Sequence, residues 1–138
     1  TRFLNKQSSK KNYFKKNIPS DVLQEEIPLE RAKKVYNFIK NYYNWNGNYW
    51  VSSDINVKES FREKTGSVDA INLSLFNSLQ AADIESYIVL LSTRANGIPT
   101  QLYPVITQFN YIAVKAVVDG KEYFLDASNK YLSYGDTL

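Results

Sequence analysis

Residues 64–76, KTGSVDAINLSLF, decide how this chain is read. From Val68 onward, Ile71, Leu75 and Leu79 recur as one stripe, and Leu73, Phe76 and Ala82 widen it. That spacing predicts a helix over about 68–82, apolar around most of its circumference and therefore central and buried. Ser67 is placed to cap it, and Asp69 falls in the first turn, where the helix N-terminus favours negative charge. Several enzymes set a nucleophile at the start of such a helix, just after a glycine. Here the residue two positions past Gly66 is Val68. Asn72, a polar residue on this apolar helix, is expected to be a satisfied core amide holding a neighbouring loop.

On the N-terminal side, Pro28 opens a second helix over 28–44, with Leu29, Ala32, Val35, Tyr36, Ile39 and Tyr43 at spacings of three and four, and with Glu30 able to pair with Lys34. It ends at NWNGNYW, where Asn46, Gly47 and Asn48 break the pattern. Ser53 and Asp54 suit the N-cap of a short helix over about 54–64, which Gly66 would terminate. On the C-terminal side the period changes. SYIVLLST (86–93) is apolar on both faces, the pattern of a strand covered from two sides. A loop over 95–108 follows. Then NYIAVKAVV (110–118) and KEYFLDAS (121–128) flank Asp119-Gly120, a two-residue hairpin turn. Helices first and strands afterwards make an α+β domain, with the central helix packed on an antiparallel sheet of three or more strands.

The whole chain has 138 residues, enough for one domain with a real core. It is 43% hydrophobic, with eleven Tyr and only nine Gly and Pro together, which excludes a disordered or collagen-like chain. Cysteine and histidine are both absent. Disulfides, thiolate or imidazole metal sites and triads that use Cys or a His base are thereby excluded, and neither a metal nor a cofactor is expected. No apolar run approaches the roughly 18 residues that span a bilayer. The absence of Met suggests a piece of a longer protein. Residues 1–27 read as a polar, irregular lead-in, pinned to the core by Phe3, Leu4, Tyr13, Phe14, Ile18, Val22 and Leu23, with the folded domain over 28–138. Arg2, Lys6, Lys10, Lys11, Lys15 and Lys16 make the lead-in a basic arm. It reads first as a solvated segment. Binding of nucleic acid or an anionic surface through it is the weaker alternative.

Gly66 before the central helix, Asn110 at the head of one strand and Asp126 at the end of the next form a constellation with a known counterpart. The chain resembles the transglutaminase-like domains, a papain-related group, over about residues 28–136, including the WNG loop, LLSTRANG and LDAS. The resemblance implies a papain-like core. Members carry a Cys two residues after a Gly, a His heading a segment of the form His-Ala-Trp-Val, and an Asp closing a Leu-Asp-Pro/Ala-Thr segment. On these motifs the three positions are Val68, Asn110 in FNYIAVKAV, and Asp126 in YFLDAS. Valine offers no lone pair or removable proton, and a carboxamide is no base near neutral pH, so acyl transfer is lost at two steps.

The expectation is therefore a non-catalytic module. Ser67, Asn72, Arg94, Asn110, Tyr111 and Asp126, with Trp45 as a further aromatic wall, are its candidate binding residues for a peptide, protein or glycan. Arg94 is expected to pair with Asp126 or Asp69. The resemblance is nearest to a bacterial subgroup in which the domain lies between β-rich domains of larger envelope-associated proteins, which implies a periplasmic or envelope location. An active hydrolase is the competing reading, using Ser67, with Asp69 the nearest carboxylate, or a metal held by carboxylates.

Overall fold

The structure, a computed structural model, describes residues 8–45, 56–94 and 108–128, with only the backbone of 90–94 and 108–111. The apolar stripe of residues 68–82 forms helix α5, Val68–Ala81, so the predicted helix is present. All of it is buried except Phe76 and Gln80, which are half-buried. Such burial places five polar side chains in the core, three of which bond within the helix. Ser74 Oγ donates to the Ala70 carbonyl at 2.9 Å, Ser78 Oγ to Ser74 at 2.7 Å and Asn77 Nδ2 to Leu73 at 2.8 Å. Asn72 reaches further, to the sheet.

The other helices form a layer on one side of α5. Helix α1 is Lys11–Asn17, α2 is Ser20–Leu23, α3 is Pro28–Tyr42 and α4 is Val57–Glu63. The first two correct the expectation of an irregular lead-in. Phe14 is fully buried, Ile18 and Val22 follow it inward, and the Lys10 N–H donates to Asn77 Oδ1 at 2.8 Å. These three apolar residues, spaced by four, with Tyr13 and Leu23 packed beside them, anchor a segment that is otherwise mostly polar and basic. An aromatic seam joins α1, α3 and α4, with Phe14 edge-on to Phe61 at 5.0 Å and Tyr42 stacked on Phe61 at 4.4 Å.

Pro28 does open α3, and Ala32, Val35, Tyr36 and Ile39 fill its buried face. Its ion pairs differ from expectation: Lys34 meets Glu25 at 3.1 Å, and Glu30 lies 3.9 Å from Lys33. Helix α4 also departs from the sequence reading. Asn56 caps it, accepting the Glu59 N–H at 3.1 Å, whereas Ser53 and Asp54 lie outside the described residues. Lys64, not Gly66, closes it, at φ 60 in the left-handed region. Gly66 belongs instead to β2, Thr65–Gly66, which pairs in parallel with β1, Asn44–Trp45.

Strands β3 (Glu85–Arg94), β4 (Gln108–Val118) and β5 (Lys121–Leu125) form the antiparallel sheet in that order, as the sequence predicts. Asp119 and Gly120 turn the β4–β5 hairpin with φ 53 and φ 79, the pair of positive values that a two-residue type I′ turn needs. Alternation along β4 buries Ile112, Val114 and Ala116 on the face against α5. On the opposite face Tyr87 is 47% and Phe124 43% exposed, whereas Ala113 is fully buried. The two-sided cover expected of β3 is therefore incomplete at Tyr87. Among the described residues no helix is long and apolar enough to cross a membrane.

Candidate functional site

The start of α5, β4 and the end of β5 converge, as the motif spacing required. Gly66 leads into α5 for a steric reason: a Cβ there would stand 3.0 Å from the Ala70 Cβ and 3.5 Å from Ser60. Ser67 caps the helix, its Oγ accepting the Ala70 N–H at 3.2 Å, and is 7% exposed. Val68 follows, only 2% exposed. The Trp45–Gly66 backbone pairing brings Trp45, 42% exposed, beside this helix start.

Asp69 and Asn72 fasten this end of α5 to the sheet. Asp69 Oδ1 accepts the Ile112 N–H at 2.7 Å. Asn72 Nδ2 donates to the Ile112 carbonyl at 2.8 Å and to Asp126 Oδ1 at 3.0 Å, while Asn72 Oδ1 accepts the Ala127 N–H at 2.9 Å. The last β4–β5 pair is Val114 with Leu125, so the continued register sets Ile112 against Ala127. The carboxamide of Asn72 stands between them, taking the place of a direct ladder bond. It is thus the core amide the sequence suggested, and it holds two strand ends rather than a loop.

Asp126 is half-buried. Its Oδ1 also accepts the N–H of Ser128 at 3.0 Å and the Ser128 hydroxyl, and Tyr36 OH donates to its carbonyl at 3.3 Å. Asn110 pairs with Ser92 and has the same strand parity as Ile112 and Val114, two residues before the clamped Ile112. Ile112 and Asp126 thus meet the first turns of α5, with Asn110 two residues before Ile112 on β4. The side chains of Arg94, Asn110 and Tyr111, and the ion pair expected of Arg94, lie outside the described residues.

The clamping role of Asp69 escaped the sequence reading, which placed this residue as a first-turn charge or a base for Ser67. It is fully buried, and its Oδ2 has no hydrogen-bond partner. Burial raises its pKa to about 6 against the opposing hydrogen bond from Ile112. Asp69 points to Ile112, and Ser67 Oγ is occupied as a cap, so the two do not form a nucleophile–base pair. The signal for Asp69 was its spacing from Asn72: both are polar and three residues apart, which puts them on one face of the helix. Among the described residues no group of three Asp, Glu, His or Cys is arranged to hold a metal ion.

No protein-family model and no curated protein matches the chain. Among solved structures it is similar to a protein from Parabacteroides distasonis described as a "putative protease", with 21% identity and a TM-score of 0.65. The match covers 91% of this chain and 25% of that one, so this chain corresponds to about a quarter of that protein's length. At this identity the likeness defines the class of fold: a mixed α+β domain with a buried central helix on a small antiparallel sheet, shared with a protease-like structure.

Proposed function

We propose that this chain is a catalytically inactive transglutaminase-like domain with a papain-like core, serving as a binding or structural module of a larger bacterial protein. One observation carries the reading: the position two past Gly66, at the first turn of the central helix, holds Val68, a hydrocarbon side chain 2% exposed. A nucleophile at that point needs both reactive electrons and access, and this residue has neither. Asn110 supplies no base, and Asp126 is engaged with Asn72 and Ser128. What remains is a rigid polar junction flanked by Trp45, fit to hold a peptide, protein or glycan segment. The chain's match to a quarter of a bacterial protein supports the idea of one part among several. An envelope location follows from the family resemblance alone.

The test is a panel of amide-hydrolysis, peptidase and transglutamination assays on the purified chain, with Ser67→Ala as control. No turnover is expected. Turnover that disappears in Ser67→Ala would establish a serine enzyme and sink the proposal. The double variant Val68→Cys with Asn110→His tests the geometry: its cysteine is expected to react faster with an alkylating probe than that of Val68→Cys alone. Equal rates would mean that the two positions do not face each other.

A further inference from the structure

The backbone register shows which groups on β3 are free. Ile112 gives its N–H to Asp69 and its carbonyl to Asn72, so it exchanges nothing with Leu90, the residue opposite. Bonded and non-bonded pairs alternate in an antiparallel ladder. Tyr87 and Val89 therefore bond to β4, whereas Ser86, Ile88 and Leu90 turn their N–H and carbonyl groups away from it. Ser86 agrees, since its carbonyl accepts Gln80 Nε2 at 3.2 Å on that outer side. Past Ser86, no strand among the described residues pairs with this edge. Ile88 and Leu90 thus have backbone groups with no strand partner among the described residues, on a ten-residue strand.

Folded proteins blunt such edges with lysine, proline, a bulge or a short strand. β3 does none of these between Ser86 and Thr93, and its two charges, Glu85 and Arg94, sit at its ends. We propose that the free edge of β3 docks a second copy of this chain, antiparallel about a two-fold axis, joining two three-stranded sheets into one of six strands. The strand is its own complement. With Val89 of each copy on the axis, the backbone register sets Ile88 opposite Leu90, Tyr87 opposite Leu91 and Ser86 opposite Ser92, so each register position pairs residue types of like polarity. This register also meets the backbone requirement, because residues with free edge groups lie opposite one another. Ser86 can serve both Gln80 and the second copy, because a carbonyl oxygen has two lone pairs. Antiparallel pairing brings Glu85 of one copy to the end that carries Arg94 of the other, whereas a parallel partner would align like charges. A closed, isologous pair of this kind also uses up both open edges and does not propagate.

Sedimentation velocity across a concentration series, with amide hydrogen exchange read at Ile88 and Leu90, tests this. The expected result is a species of two chains, with both amides protected as it forms. Val89→Lys sets two lysines together on the axis. Leu90→Pro removes an N–H that has no strand partner among the described residues. Either variant is expected to sediment as a monomer, and a folded monomer from either one suffices. A wild-type chain that stays monomeric at every concentration overturns the proposal, whether the amides exchange freely or are covered from within the chain. A dimer that persists unchanged in both variants also overturns it, because another surface must then hold it.

Discussion

At the residue scale, the junction rests on two side chains that no catalytic motif would have picked out. Asn72 satisfies one carbonyl, one N–H and one carboxylate, all at a point where β4 and β5 part. Replacing it with Ala leaves the buried Ile112 carbonyl and Ala127 N–H without partners. Asn72→Ala is expected to cost about 2–4 kcal/mol, read as a lower urea midpoint with an unchanged slope. Asp69 carries a pH dependence whose sign follows from its environment. Burial raises its pKa from 3.8 to about 6, so the folded chain holds this proton more tightly than the unfolded one. Its contribution to stability is complete below the unfolded value, is lost as pH rises through the folded value, and stays lost above it. Asp69→Asn keeps an acceptor for Ile112 and carries no charge. Relative to this variant, the parent is expected to lose roughly 1–3 kcal/mol between acidic pH and pH 8, measured by urea unfolding at each pH. A parent and variant with parallel profiles would show that the carboxylate is not the source.

At the element scale, Gly66 and Ser67 at the start of α5 each have a structural reason. The glycine is needed because Ala70 crowds its Cα, and Ala70 is fixed on the helix. Gly66→Ala is accordingly expected to destabilise by about 1–3 kcal/mol through displacement of the helix start. Ser67→Ala removes the cap from Ala70 and is expected to cost about 1 kcal/mol. Thermal unfolding followed by circular dichroism would give both values. The same element shows where pattern reading works and where it stops. α5, the three strands and the Asp119-Gly120 turn were legible because their signals are local: spacing of apolar residues, alternation, and a dipeptide suited to positive φ. The limits of α4 were not, because Lys64 takes the left-handed cap that a glycine was expected to supply. A lysine there is favoured by its contact over the Tyr42 ring at 5.5 Å, which depends on α3 being packed alongside.

At the scale of the molecule, the lead-in before residue 28 contributes to the core, in keeping with its apolar residues. Phe14, Ile18 and Val22 from α1 and α2 belong to the same apolar cluster as Ile71 and Leu79 of α5. Arg31 ties the layer further, donating to the Ala82 and Glu25 carbonyls, both at 2.7 Å. A fragment beginning at Pro28 is therefore expected to lose cooperative unfolding, and Phe14→Ala in the full chain to cost about 3–5 kcal/mol. A sharp thermal transition at the parent's midpoint in the fragment would refute this.

The sequence by itself determined the class of fold, the order of its elements, the buried central helix and the residues on its inward face, because burial of apolar side chains imposes a period that local spacing reveals. It also determined that sulfur and imidazole are absent. Only the tertiary structure decided that the basic lead-in is helical, that Tyr87 and Phe124 stand exposed on the outer face of the sheet, and that Asp69 and Asn72 join the helix to the parting strands. Those features depend on contacts between residues about 40 to 70 positions apart. Hydrogen-bond partners at such separations leave no periodic trace in one chain, since any polar residue facing a strand end could satisfy it.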